Sequence, residues 1–352
     1  MWYIGIDAHK KRCEMTAKDE TGNVVRRRSF LHTREGWRDA LAGAPPRSRV
    51  AVECVGWYQP IFDLLDELGL EGVLVHARGV ALIGSSKKKT DRHDSQVLCD
   101  LLRTGFLPTA HVPARATREL RELTRLRDAL CKQGVQTKNR VHRLLERTWT
   151  TTPDVSDLFG KTGRRFLDTV TLASPYRLAL DTLLAELDHL ETLRRRIDAA
   201  IAMHVQTDAD VDLLLGIDGL SVIGAATLRA EFDDVRRFHG RKAVRSNFGI
   251  VPSVRDSADT QHRGRITKQG SGQVRKILVQ AANHFVRGNP AAQVKHATIK
   301  AKRGAACAKV AAAADLLDVA YQVLKTRRPY HHADPGRHER KRTELRLIAA
   351  QA

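Results

Sequence analysis

Two short apolar runs near the start of this chain each end in an acid. WYIGID closes on Asp7 and RVAVE closes on Glu53. Runs of this length and composition read as buried strands, and carboxylates at the ends of two strands restrict how those strands can be arranged. In an open α/β sheet, ligands collect at one rim, outside the strand ends. The neighbouring segments supply such a sheet. CEMTAKD and NVVRRRSF read as two further strands, separated by the turn-like Thr21-Gly22-Asn23. A helical pattern follows RVAVE, with Ile61, Leu64, Leu65 and Leu68 at helical spacing, and GVLVH reads as a fifth strand. Strands, a helix and a strand in that order predict a mixed α/β sheet.

Two more acids, Asp91 and Asp94, stand three residues apart in KKKTDRHDSQVL, at the start of a predicted helix whose N-cap is Thr90. A single acid reads equally well as a cap, a solvated group or a salt-bridge partner. Four of them, two on apolar strand ends and two in one helical turn, read as a cluster. Mutual repulsion makes such a cluster unfavourable without a cation. Hard oxygen donors suit Mg²⁺ or Mn²⁺, and a pair of such ions is the usual clamp for cutting a phosphodiester. The preceding Lys87, Lys88 and Lys89 suit a phosphate backbone passing over the acids.

The charge balance agrees. Sixty Lys and Arg against 40 Asp and Glu give a net charge of +20, which points to a polyanionic partner. Nucleic acid is favoured over a membrane, because no apolar run approaches the roughly 20 residues needed to cross a bilayer. The N-terminus lacks the charge order of a signal peptide. The five cysteines are scattered without a CxxC pair, which argues against a cysteine zinc site and for a reducing, cytoplasmic setting.

Beyond the sheet, long helical patterns run over 117–147 and 176–204, dense in Arg and Leu, and suggest an antiparallel coiled-coil arm suited to packing or to self-association. LLLGIDGLSVIGAATLRAEF reads as two helices around a tight turn, either a plain helical hairpin or a helix–hairpin–helix grip on DNA. A hairpin or loop rich in Arg, Gly, Ser and Thr, a basic helix over 273–287 and an alanine-rich helix over 305–325 follow. The expected division is 1–112 for the sheet domain, 113–206 for the arm, 207–328 for a mainly helical domain and 329–352 for a charged, disordered tail.

IGIDAHK, VECVGWY and KTDRHDSQ together resemble the DEDD-type, RuvC-like (RNase H-like) N-terminal domain of a family of bacterial insertion-sequence transposases. The block from GIDGLSVIGAATLRAEFDD through SNFGIVPS to RGRITKQGSGQVRKILVQAA resembles that family's C-terminal transposase domain. The resemblance implies that Asp7, Glu53, Asp91 and Asp94 are the catalytic acids and hold two divalent ions, and that Ser246 is a nucleophile. It also implies donor and target DNA as substrates and a structured noncoding RNA, the bridge RNA, as guide. The expected setting is the bacterial cytoplasm, at the nucleoid. The chain departs from the family's usual Tyr-Leu after the serine, with Asn247-Phe248 in its place. A serine that attacks phosphorus keeps the ester bond energy in a phosphoserine, so strands can be rejoined without external energy. The acids and the serine fall in different predicted domains, which implies a composite site and favours a homo-oligomer. Arg241, Lys242, Arg245, Arg263, Arg265, Lys268 and Arg275 are the candidate phosphate contacts around the serine. The competing reading is a metal-dependent, junction-resolvase-like nuclease without covalent serine chemistry.

Overall fold

The computed structural model describes residues 1–53, 56–76, 91–257 and 260–351, and the side chains of 91–92 and 255–263 are not described. Lys87, Lys88 and Lys89 therefore lie outside the described residues. The chain divides into two compact units, Met1–Val112 and Pro113–Ala352.

The first unit is built on a six-stranded mixed sheet. Its strands are β1 (Tyr3–Ala8), β2 (Arg12–Lys18), β3 (Val24–Leu31), β4 (Arg49–Glu53), β5 (Glu71–Val75) and β6 (Thr109–Ala110), in the order β3-β2-β1-β4-β5-β6. β1 runs antiparallel to β2 and parallel to β4, and β4 runs parallel to β5. Alternation decides what each face carries. Ile4, Ile6, Val50 and Val52 point to one face and join Trp37 of α1 (Arg34–Leu41) and Phe62 and Leu65 of α2 (Tyr58–Glu67) in one core. Thr33 caps α1 by accepting from the Gly36 amide at 3.1 Å.

The opposite face is covered by α3 (Asp91–Thr104), whose Leu98 and Leu102 pack with Ala51, Val73 and Val75. Gly5 sits on this face, and α3 crosses it closely. A Cβ added at Gly5 would lie 2.2 Å from the Ser95 carbonyl oxygen and 2.5 Å from the Cys99 amide nitrogen. Three polar contacts fix the helix on the sheet. The Ser95 and Thr16 hydroxyls meet at 3.0 Å, the Cys99 thiol donates to the Tyr3 carbonyl at 3.0 Å, and the Lys18 ammonium pairs with Asp100 at 2.5 Å.

The second unit is helical apart from one hairpin. Helices α4 (Arg115–Arg147) and α6 (Ser174–Val205) lie antiparallel, because Arg127 reaches Asp198 at 2.5 Å and Thr137 reaches Glu186 at 3.1 Å. Their outer end has its own small core, in which Leu167 of the short α5 (Lys161–Thr169) joins Leu144, Leu145, Leu180 and Leu184. Their inner end is part of the main core, where Leu120 packs among the residues that follow. Those elements are α7 (Ala209–Leu215), α8 (Val222–Phe232), α9 (Arg241–Asn247), the hairpin β7 (Pro252–Ser257) and β8 (Thr260–Ile266), α10 (Gly272–Arg287), α11 (Pro290–Thr326) and α12 (Pro335–Ala349). Non-helical backbone at Gly304 breaks α11, and the two arms fold back so that Lys295 pairs with Asp315 at 2.7 Å.

One expectation changes here, and one open choice is narrowed. The segment 329–352, expected to be a disordered tail, carries the folded helix α12. Asp334 caps it, and Pro335 stands in its first turn. Lys341 donates to the Leu215 and Ile217 carbonyls at 2.8 and 2.9 Å, and Arg337 reaches Asp218 at 3.0 Å. Leu345 and Ala349 are buried. The tail's positive charge therefore meets orphan carbonyls at the end of α7 and the acids beside it, and does not stay in water. Between the two alternatives for α7 and α8, the structure has a hairpin whose turn is packed inside. Ile217, Asp218 and Leu220 are buried, and a Cβ at Gly219 (φ 89°) would meet the Ala281 carbonyl at 2.5 Å.

Gly5→Ala is expected to lift α3 from the sheet and to lower the stability of the first unit by about 1–3 kcal/mol, the usual cost of overpacking. Urea denaturation followed by circular dichroism checks this, and an unchanged midpoint would show that the contact is slack.

Candidate active site

The register of the sheet places Asp7 and Glu53. β1 and β4 are parallel with Ile6 beside Val52, so Asp7 and Glu53, one residue further on, share the face opposite to Ile6 and Val52. That is the face covered by α3. Asp7 is only 5% exposed, and its Oδ2 lies 3.3 Å from the His9 Nε2. Asp94 immediately precedes Ser95, the residue anchored to Thr16, so the first turn of α3 stands over the same strand ends. The structure therefore brings Asp7, Glu53 and Asp94 to one end of one face. Asp91 is the first residue of α3, and its side chain lies outside the described residues.

Register also supplies an acid that motif reading overlooked. Glu14 of β2 is the direct partner of Asp7 in the antiparallel β1–β2 pair, so the two carboxylates share a face. Glu14, Asp7 and Glu53 thus stand side by side on three adjacent strands. Like charges placed opposite each other destabilise a strand pair, and this row sits where a cation would offset the cost. The strand alternation of CEMTAKD and the short turn after Asp7 carry this information, but only once a pairing register is assumed. The neighbouring Cys13 thiol is pushed up to about 12, chiefly by burial, with the charges of Asp7 and Glu14 adding to the effect.

The donors fit a hard divalent ion in type, all being carboxylate oxygens, and in the burial of Asp7. Among the described residues, no three His, Cys, Asp or Glu side chains gather closely enough to form a metal group by themselves.

Ser246 belongs to the second unit. It is exposed on the last turn of α9, while Val244 and Phe248 beside it are buried. The helix ends in a two-bond cap. The Gly249 amide donates to the Ser246 carbonyl at 3.0 Å, the Ile250 amide donates to the Arg245 carbonyl at 3.0 Å, and Gly249 has φ 63°. The turn before α10 passes directly over this cap. A Cβ at Gly249 would stand 2.1 Å from the Gln269 carbonyl, and a Cβ at Gly270 would stand 2.0 Å from the Asn247 carbonyl. Two stretches of backbone thus meet where only glycine fits.

The candidate cations around the serine separate into two groups. Arg275 lies inward, its Nη1 donating to the carbonyls of Phe248, Gln269 and Gly270 at 2.9, 2.8 and 3.3 Å. Arg245 is half-buried, reaching Asp318 at 2.9 and 2.8 Å and Asp315 at 3.0 Å. Burial pulls its guanidinium down, but Asp318 and Asp315 more than compensate and leave it raised. These two residues shape the serine's surroundings. Arg241, Lys242, Arg265 and Lys268 are exposed, and the Arg263 side chain lies outside the described residues.

Parts of the chain are similar to known proteins. Residues 4–150 match a family model for DEDD-type transposases of the IS110 kind. Residues 211–297 match the model described as transposase of the IS116/IS110/IS902 family. A probable family 20 transposase of Pseudomonas aeruginosa is 28% identical, over 81% of this chain and 84% of its own length. The transposase for insertion sequence element IS1328 of Yersinia enterocolitica is 24% identical, over 81% and 84%. That for IS1111A of Coxiella burnetii is 21% identical, over 81% and 78%.

Gly249→Ala is expected to destabilise the second unit by about 2 kcal/mol or more, since it combines a left-handed backbone with a backbone clash. Arg275→Met is expected to speed amide exchange at 268–270 with a smaller loss. Hydrogen exchange on both variants checks this, and native protection in both would contradict the assignment.

Two matches in the expected order, covering the acid-bearing sheet and the serine-bearing helices, place the chain in the IS110/IS116/IS902 family of transposases, enzymes of DNA transposition.

Proposed function

We propose that the chain is an RNA-guided DNA recombinase that cuts and rejoins donor and target DNA through a phosphoserine. The observation that carries the catalytic half is the placement of buried Asp7 beside Glu53 on the face over which the Asp94 turn of α3 stands. In this reading Asp7, Glu53, Asp91 and Asp94 hold Mg²⁺ or Mn²⁺, which when bound polarises the phosphoryl oxygens. Asp7 is buried beside His9, and a carboxylate in that position beside Glu53 is a donor that a hard divalent ion would accept.

Ser246 supplies the hydroxyl. Its exposed position on a helix end clamped by Gly249, Gly270 and Arg275 presents an oxygen from rigid backbone. In the step, Oγ bonds to phosphorus as the bond from phosphorus to one DNA end breaks. The serine loses its proton and the departing DNA oxygen gains one. Reversal on a new DNA end rejoins the strand with the ester energy conserved. Arg241, Lys242, Arg265 and Lys268 are the exposed cations available to the DNA backbone. The guide RNA enters through the family resemblance, and the charge of +20 accommodates it. A homo-oligomer belongs to the same reading, because two duplexes have to be held together. No helix among the described residues is long and apolar enough to cross a membrane.

The test is a denaturing gel after incubation with DNA carrying the element's ends and the co-purified RNA. A protein–DNA adduct that is absent in Ser246→Ala supports the recombinase. Clean nicks with Ser246→Ala fully active support the nuclease instead. Asp7→Asn is expected to reduce cleavage to below about one hundredth while leaving nucleic-acid binding nearly intact, and equal loss of both would mark the acids as structural.

A further inference from the structure

Helix α4 ends in a residue that the fold itself does not use. Trp149 follows its last turn and is 94% exposed, so both faces of the indole are open. Among the described residues, no ring or cation stacks on it. The backbone beneath it is well defined. The Thr150 amide donates to the Leu145 carbonyl at 3.0 Å, and the Trp149 amide donates to the Glu146 carbonyl at 3.2 Å. This two-bond helix cap sets left-handed backbone at the position of Trp149, whose φ is 52°. Glycine is the usual occupant, because it carries no Cβ penalty there. A tryptophan costs the fold twice. Left-handed backbone is unfavourable for a bulky side chain, and a large apolar ring held in water gains nothing from burial. Strain kept where glycine would serve points to a use outside the fold.

The last turns of α4 indicate the chemistry of that use. Arg143 and Arg147 stand one turn apart and are exposed, and among the described residues no carboxylate pairs with either. A purely apolar partner would engage the ring and leave both guanidiniums without a counter-charge. A second copy meeting the same surface would set these arginines against their own equivalents. A nucleic-acid strand supplies both parts, a planar ring for the indole and phosphates for the arginines. Bases inside a duplex are covered by their neighbours, whereas unpaired bases offer their faces to aromatic side chains. We propose that Trp149 stacks on an unpaired base of a single strand, with the flanking phosphates at Arg143 and Arg147. The inference rests on the reading of the chain as a nucleic-acid recombinase. It adds a recognition element at the end of α4, separate from the acids and from Ser246.

The experiment titrates the full chain with oligouridylate and with oligothymidylate, following tryptophan fluorescence and the anisotropy of a labelled strand. The other three tryptophans, Trp2, Trp37 and Trp57, lie in the first unit, so Trp149→Gly gives their background. Wild-type fluorescence is expected to fall as the indole stacks, and the tighter strand names the source of the base. Trp149→Gly is expected to lose that fall and to bind about tenfold more weakly, while Trp149→Tyr stays within about threefold of wild type. Trp149→Gly removes no charge, so the salt dependence of binding is expected to stay the same. Glycine also suits the left-handed backbone, so the urea midpoint is expected to hold or rise. Equal affinity of wild type and Trp149→Gly, or a lower midpoint in that variant, overturns the proposal. So does a particle mass that drops in Trp149→Gly with strand binding unchanged, which would assign the ring to a second copy. The titration involves no cleavage, and Ser246→Ala is expected to show the wild-type fall. A Ser246-dependent adduct that forms without any such fall therefore removes the base contact and leaves the phosphoserine reading standing.

Discussion

Helix α3 rests on β1 at the residue that has no side chain. Gly5 lets the Ser95 and Cys99 backbone come within reach of the strand, and the place of Asp94 over the strand acids follows from that contact. The strand register alone brings Asp7 and Glu53 to one face, and Glu14 with them. What adds Asp94 is the close seat of α3, held by the Thr16–Ser95 and Lys18–Asp100 pairs along its length. A helix held a side chain's width further out would leave the strand acids facing solvent. The Lys18–Asp100 pair, with the lysine almost fully buried, also shows how this face tolerates charge. It does so here by pairing the buried lysine with a carboxylate.

The second unit repeats the same device with backbone in place of side chains. Gly249 and Gly270 allow the end of α9 and the turn before α10 to touch, and Arg275 ties three carbonyls of that junction together. Ser246 is exposed, but the peptide that carries it is held by the helix cap and by the backbone that crosses it. Such preorganisation suits the role proposed for Ser246, since a loosely held hydroxyl would lose the gain from orientation. Two of the candidate cations, Arg245 and Arg275, turn out to build this frame.

Much of this could be read in the amino-acid sequence where a single period dominates. The strands ending in Asp7 and Glu53, the helix opening at Asp91 and the two long helices with their leucine stripes fall where alternation and 3.6-residue spacing put them. What escaped reading depends on partners distant in sequence. Glu14 looks like an ordinary strand acid until the β1–β2 register sets it against Asp7. The charged segment after Pro329 looks disordered by composition, because its lysine and arginines find Asp212, Asp218 and the carbonyls of α7 more than a hundred positions away. Arg245 and Arg275 read as phosphate contacts because sequence shows their charge but not the acids and carbonyls already facing them.

The central claim is that carboxylates at the strand ends of the first unit form a cation site. Manganese binding, followed by the loss of free-ion signal in electron paramagnetic resonance, tests it without any catalytic step. Wild type is expected to remove Mn²⁺ from solution saturably, and Asp7→Asn to lose most of that uptake while its circular dichroism stays native. Equal uptake by the two proteins, or none by either, would contradict the claim.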